Sequence, residues 1–378
     1  MKFALLSDVC EIVMGQAPPG ESYNSEGIGY PLVAGAGDFG PVYPKPKKFT
    51  TNPTRLSAPG DIILGIRATI GVKTLADQVY CLGRGVAGLR VGDGLDGRFL
   101  WNWLTFAAPK LAAKGKGATF LQVNRADIGE MRIPLPSLDE QRRIAAILDH
   151  ADALRAKRRE TLARLDELTQ SIFIDMFGDP AANPRGFKRI VLGDVIEFAK
   201  DGPHVSPTYA ESGVPFLSSR HVRPGVISWN DLKYLTAEDA EAQWKKIKPR
   251  RGDILYTKGG TTGYAAEVRT DMDFAVWVHI ALLRPIADVV NPSWLEAMLN
   301  TAYCYRQSQE LTHGIANRDL GLKRMVKIAM YLPDLRLQER FASYVAILGS
   351  VAECHRNALA ELDALFASLQ SRAYRGEL

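Results

Sequence analysis

The chain states one pattern twice, and any fold it adopts must hold two copies of it. Leu135-Pro136-Ser137-Leu138-Asp139-Glu140-Gln141 heads a long charged, leucine-rich stretch, and Leu332-Pro333-Asp334-Leu335-Arg336-Leu337-Gln338 heads another. The offset from Pro136 to Pro333 is 197, and it holds without a gap to the C-terminus through Gln141/Gln338, Arg159/Arg356, Leu165/Leu362, Asp166/Asp363 and Ser171/Ser368. Upstream, insertions make it drift. Leu6-Ser7-Asp8-Val9 answers Leu192-Gly193-Asp194-Val195, and Gly60-Asp61-Ile62-Ile63 with Gly71 answers Gly252-Asp253-Ile254-Leu255 with Gly263. The halves run roughly 1 to 180 and 181 to 378, too long for solenoid repeats, so they read as duplicated domains.

The leucine-rich stretches read as helices. Ser137 and Glu140 fit a capping box, the hydroxyl taking the Glu140 N–H and the carboxylate returning to the Ser137 N–H. No Pro or Gly follows until Gly178, and the second stretch, from near Asp334, runs to Gly376 with Gly349 alone inside it. Apolar residues follow heptads: Ile144, Ala151, Leu165 and Ile172 with Ile147, Leu154 and Leu168 in the first, and Phe341, Leu348, Leu362 and Leu369 with Tyr344, Val351, Ala358 and Leu365 in the second. About forty residues make a rod of about 60 Å. An antiparallel pair of helices serves both seams; the alternative, each helix packed on its own domain, fits such lengths poorly. The expected fold class is α+β: two similar globular α/β domains, 1–136 and 179–333, separated by a central long helix (137–178) and a C-terminal long helix (334–378) that form an antiparallel coiled coil with pseudo-twofold symmetry. Short strands are expected at Tyr30–Val33, Val214–Leu217, Asp61–Leu64 and Asp253–Tyr256, and helices at Phe99–Ala113 and Trp294–Gln309.

With 46% hydrophobic residues among 378, each half can bury a core. Asp8 and Glu11 interrupt the N-terminal apolar run before a signal core forms, and no apolar stretch approaches membrane-spanning length, which reads as cytoplasmic. Cys10, Cys81, Cys304 and Cys354 show no metal-ligand spacing and read as free thiols of a reducing compartment. A net charge of +5 permits an anionic partner without requiring one.

Loops expected to follow strands concentrate residues suited to DNA. The first half offers Lys45, Lys47 and Lys48, then Arg67 and Thr69, then Lys114 and Lys116, then Asn124 and Arg125. The second offers Ser218, Ser219, Arg220, His221 and Arg223, then Lys258, Thr261 and Thr262, then Asn317 and Arg318. Lys, Ser and Thr suit phosphates, Arg suits guanine edges and Asn suits adenine. A single such loop is an ordinary solvated turn; recurrence at matching places in both halves is what carries the reading.

Several catalytic signatures fail. Gly35-Ala36-Gly37-Asp38-Phe39-Gly40 spells G-x-G-x-x-G but runs into Pro41-Val42-Tyr43-Pro44, where a dinucleotide site needs a helix. Lys114-Gly115-Lys116-Gly117 lacks the remaining Walker A residues. The Asn/Asp-Pro-Pro-aromatic stretch of amino-methyltransferases, a Pro-Asp…Asp/Glu-x-Lys nuclease pattern and H-E-x-x-H are all missing from the sequence.

The helix-heading phrases Arg132 to Gln141 and Met330 to Glu339, the Gly-Asp-Ile strands with Gly71 and Gly263, and the closing Ser371-Arg372-Ala373-Tyr374-Arg375-Gly376-Glu377-Leu378 together resemble the DNA-specificity (S) subunit of type I restriction-modification systems over essentially the whole chain. The second copy departs from the usual Glu-Gln order with Leu337-Gln338-Glu339. The resemblance implies a noncatalytic protein with two target-recognition domains, each reading half of a split, asymmetric double-stranded DNA site. It implies further that the coiled coil sets the spacer and docks two methyltransferase (modification) subunits, joined by motor-nuclease (restriction) subunits. No cofactor is expected in this chain; S-adenosylmethionine, ATP and Mg would belong to the partners. The other reading of the residues is a duplicated coiled-coil scaffold that binds proteins and no DNA.

Overall fold

The computed structural model describes residues 2–117, 120–314 and 318–378, with Asp166 described by its backbone alone. The chain divides into two compact units, residues 1–159 with 357–378, and residues 160–356.

In the first unit, Ile62, Ile63 and Leu64 are buried on both faces of a strand, Ile62–Gly65, that lies inside an antiparallel four-stranded sheet. Its neighbours are Val86–Val91, then Cys10–Met14, on one side and Lys73–Leu75 on the other. A second small sheet orders Tyr23–Asn24, Phe49–Thr50, Tyr30–Val33 and Cys81–Leu82, the last two strands parallel. Phe3–Leu5 pairs with Arg132–Pro134. Helix Gly97–Ala113 starts where the Asp96 carboxylate accepts the Arg98 and Phe99 N–H groups, each at 3.0 Å, and lays Phe99, Leu100, Trp103 and Leu104 on the core.

The second unit repeats this plan. Ile196–Asp201, Ile280–Pro285, Ile254–Thr257 and Ala265–Glu267 form one sheet, Tyr209–Ala210, Lys233–Leu235, Val214–Leu217 and Ala275–Val276 the other, and Lys188–Val191 pairs with Ala329–Leu332. It adds helix Ala237–Trp244 and the ribbon Val222–Arg223/Val226–Ile227. The single helix expected over Trp294–Gln309 is two, Pro292–Leu299 and Ala302–Glu310. Asn300 breaks it by exchanging hydrogen bonds with the Ala265 backbone at 2.9 and 3.0 Å, and Thr301 caps the next turn at the Cys304 N–H.

The repeated phrases prove to be joints. Gly60 and Gly252 take positive φ (91° and 86°), and the aspartate after each is buried beneath a guanidinium fork. Arg90 Nε and Nη2 lie 3.0 and 2.9 Å from the Asp61 carboxylate, and Arg284 Nε and Nη2 each lie 2.8 Å from that of Asp253. The glutamines are locks: Gln141 accepts the Asp96 N–H (2.8 Å) and donates to Gly94 and Pro136 carbonyls (3.0 Å each). Gln338 accepts the Asn291 N–H (2.8 Å) and donates to Val289 and Pro333 (3.3 and 2.9 Å). Each thereby clamps the start of a long helix to the start of the domain helix before it.

The long helices span Leu138–Phe177 and Leu335–Arg375, each stopped by a positive-φ glycine, Gly178 (79°) and Gly376 (78°). Half of the expected capping box forms. The Glu140 N–H reaches Ser137 Oγ (3.3 Å), but the Glu140 carboxylate turns to Arg143 at 2.8 and 2.9 Å, a charged partner one turn on. In the first unit Ile144, Ala145, Leu148 and Ala151 share a core with Phe366, Ala373 and Tyr374, while Arg155 Nε meets Asp363 at 2.5 Å and its guanidinium covers Phe366. In the second, Phe173 and Phe177 each sit 5.6 Å from Phe341. So in each unit the early part of one helix lies against the late part of the other, and both lie on the domain.

That double packing alters the heptad reading. Ile144, Ala151 and Phe341 are buried as the first seam requires, but Leu154, Leu168, Tyr344, Val351 and Leu365 of the second seam are exposed. Ala145, Leu148 and Phe366 take the inward places, because each helix end turns one flank to its domain and has less surface left for its partner helix. Among the described residues, no helix is long and apolar enough to cross a membrane.

Candidate nucleic-acid interface

At one edge of each unit the ends of the strands are tied into a frame by backbone hydrogen bonds, and the ties match between the units. In the first, Gly83 N donates to Val33 O (2.9 Å), Ile66 N to Gly85 O (3.0 Å), Val123 N to Ile66 O (3.0 Å), Ala68 N to Leu121 O (2.9 Å) and Gly71 N to Gly65 O (3.0 Å). In the second, Trp277 N donates to Leu217 O (2.8 Å), Lys258 N to His279 O (2.9 Å), Leu320 N to Lys258 O (2.7 Å), Gly260 N to Arg318 O (3.1 Å) and Gly263 N to Thr257 O (3.0 Å). Bridges join Arg67 and Lys116 to Gln122, and Gly259 and His313 to Asp319. One scaffold thus presents two different sets of side chains.

In the first unit the frame gathers Arg67, Thr69 and Lys116. Thr69 and Lys116 are exposed, and the half-buried Arg67 lies over the Phe120 ring at 5.6 Å. Lys45, Lys47 and Lys48 are exposed on the segment leading into Phe49–Thr50; its backbone is held by Lys45 N to Asp38 O and Leu32 N to Lys48 O, both 2.8 Å. Asn124 is occupied otherwise: its side-chain oxygen caps helix Arg125–Gly129 through the Ala126 and Asp127 N–H groups, and Lys114 Nζ donates to the Asp127 carbonyl at 3.2 Å. Arg125 is exposed on that helix.

In the second unit Ser218 and Ser219 are half-buried, and His221 is buried with Nδ1 accepting the Ser218 N–H at 2.9 Å. Burial and the neighbouring Arg220 charge push the His221 imidazole below its ordinary range, so it is neutral at pH 7 and closes the turn. Arg220 is exposed but anchored to the Asp231 carbonyl (2.7 Å), and Arg223 is exposed. Thr261 and Arg318 are exposed, the latter held to Gln309 Oε1 at 2.6 Å. Thr262 is buried and bonded to Thr312 at 3.1 Å. Asn317 lies outside the described residues.

Lys258 is an anchor beneath the loop. It is 6% exposed, with Nζ 2.9 Å from Asp319 and 3.4 Å from Asp201, whose other oxygen takes Lys246 at 2.6 Å. Burial pushes the Asp201 carboxyl up, but the bond and charge of Lys246 and the charge of Lys258 outweigh it and hold it below the usual carboxylate range. In the first unit this place is apolar, with Met14 packed against the cluster that contains Ile66. The Gly35–Gly40 phrase, the first unit's counterpart of the Ser218–His221 turn, is a single 3-10 turn over Ala36–Asp38. The Asp38 carboxylate accepts the Ala34 N–H at 2.8 Å, so a carboxylate sits where a phosphate would have to lie.

A family model described as the type I restriction modification DNA specificity domain matches residues 1–165. The EcoBI specificity subunit of Escherichia coli is 22% identical over 354 residues, 85% of this chain and 74% of that one. The chain is similar to the specificity subunits of type I restriction-modification systems. A protein of Methanocaldococcus jannaschii assigned as the type I restriction enzyme MjaX specificity subunit is 35% identical over 163 residues, 43% of this chain; the match spans 38% of that relative's length. The crystal structure of the S subunit from M. genitalium shares the fold with a TM-score of 0.60 at 17% identity, covering 99% of this chain and 96% of that one. A structure described under complex assembly and conformational transition of the type I R-M system does so at 0.57 and 19%, covering 100% and 98%.

The frame also includes a turn that sequence reasoning passed over: Gly83-Arg84-Gly85 in the first unit and Trp277-Val278-His279 in the second. Its signal was present, since Val86-Ala87 and Ile280-Ala281 follow the two turns. Two glycines around one arginine read as an ordinary turn until the backbone ties place it in the frame.

Proposed function

We propose that this chain is the sequence-reading subunit of a type I restriction-modification complex, each unit holding one half of a split, asymmetric double-stranded DNA site against its loop frame. The observation that carries the reading is the frame itself: matched backbone bonds twice over, with Arg67, Thr69 and Lys116 on one copy and Thr261, Arg318 and His279 on the other. A scaffold repeated in both units with different side chains on each copy is what two independent readers of different half-sites require. The long helices are proposed to set the spacer.

The exposed second seam supports the docking of two methyltransferase subunits. In the first unit Ile147, Leu154, Leu362, Leu365 and Leu369 line an apolar groove of about 460 Å³. The 197-residue offset carries Ile147, Leu154 and Leu365 onto Tyr344, Val351 and Leu168, and these three are exposed in the second unit. Two equivalent apolar patches suit two copies of one partner. S-adenosylmethionine, ATP and Mg are proposed to reside with the methyltransferase and motor-nuclease subunits, and the assembly to work in the cytoplasm.

The test is selection from a pool of randomised duplexes by the chain assembled with methyltransferase subunits. A bipartite motif with unlike halves is expected, bound with affinity that falls steeply as salt rises. Recovery of no motif, with binding indifferent to salt, refutes the reading.

A further inference from the structure

The frame points to one side chain above the rest in the first unit, and this inference rests on the DNA-reading role proposed above. We propose that Arg84 is a base-reading residue of the first unit, its guanidinium taking the N7 and O6 edge of one guanine in the half-site.

The turn that carries it is held on both sides. Gly83 N donates to Val33 O at 2.9 Å, Gly85 N to Ala34 O at 3.1 Å, Ile66 N to Gly85 O at 3.0 Å and Val86 N to Gly83 O at 3.1 Å. The flanking residues must be glycine. A Cβ on Gly83 would stand 2.8 Å from Ala34 Cα, and one on Gly85 would collide with the Ala34 carbonyl. One on Gly15, across the turn, would collide with the Gly83 carbonyl. Both glycines are buried, so the turn raises a single side chain into solvent, and it is an arginine.

The chemistry of that arginine is uncommitted. Arg90 is bound to Asp61 and Glu11, Arg155 to Asp152 and Asp363, Arg98 pairs with Asp149, and Arg67 lies over Phe120. Among the described residues, Arg84 has neither an ion-pair partner nor a hydrogen-bond acceptor. A planar fork of five donors on a backbone that cannot yield loses little freedom on binding, and a guanine edge offers two acceptors at matching separation. Lysine reaches the same two acceptors only as a compact charge on a flexible stem, without the planar fork that holds the pair in one geometry. The matching turn of the second unit has Val278 at this place, so the second half-site is read there by other means.

The test repeats the randomised-duplex selection with the assembled complex carrying Arg84→Ala or Arg84→Lys. The wild type should return a motif with a G·C pair at a position of one half that Arg84→Ala no longer specifies, the other half being unchanged. Affinity for the wild-type duplex should fall about 10- to 100-fold with Arg84→Ala, and Arg84→Lys should recover it only in part. Replacing that guanine with 7-deazaguanine should weaken the wild type while leaving Arg84→Ala unaffected. An unchanged motif, or an equal loss on every duplex, overturns the assignment and leaves the DNA-reading role standing. A wild-type pool with no motif overturns both.

Discussion

Asp61 and Asp253 show how a residue visible in a repeat acquires its meaning from a partner far along the chain. Each is buried, and each carries an arginine fork from the next strand of its sheet, Arg90 or Arg284. Removing the cation leaves a buried carboxylate with the Arg250 N–H at 2.9 Å but no counter-charge, so Arg284→Met should destabilise the second unit by about 3 kcal/mol in urea unfolding. Asp201 makes a pH prediction. Its carboxyl lies below the ordinary value in the folded state, so the stability it contributes is present above the unfolded pKa of about 4 and is lost as pH falls through the lower folded one. Thermal midpoints measured between pH 5 and pH 2 should fall more steeply for the wild type than for Asp201→Asn. Parallel curves would assign the acid sensitivity to other carboxylates.

At the scale of elements, the two buried glutamines join each long helix to its domain helix. Gln338 satisfies one N–H and two carbonyls, so Gln338→Leu keeps the volume but strands all three, a cost of about 2–4 kcal/mol. Urea denaturation should register that loss; a midpoint equal to the wild type would mean that water replaces the amide. The long helices themselves were legible, because heptads, turn residues and terminal glycines are local signals. The division of their faces was not. Leu154 and Leu365 occupy seam positions by spacing yet remain exposed, since which flank of a helix meets the domain depends on where Phe99, Trp103 and Tyr374 stand.

At the scale of the whole molecule, duplication is the organising fact: one frame built twice, one apolar patch presented twice, one helix lock used twice. If the long helices set the distance between the readers, deleting one heptad from each shortens the rise by about 10 Å, equivalent to about three base pairs. The selected motif should then lose about three base pairs of spacer with both halves intact. An unchanged spacer would refute the ruler.

Composition and repeat pattern by themselves determined that there are two α/β copies and that a helix of about forty residues follows each. These depend on periodicity and on local backbone preference, which each segment carries within itself. Only the tertiary structure decided what the loop residues do. Lys258, read as a surface cation, is an anchor because Asp201 and Asp319 converge on it from distant parts of the chain; Asn124 is a cap because a helix begins after it. Arg84, unremarkable between two glycines, stands in the frame because strands some fifty residues apart meet beside it. Partnership is set by distance in space, and the order of residues leaves that open until the chain has closed on itself.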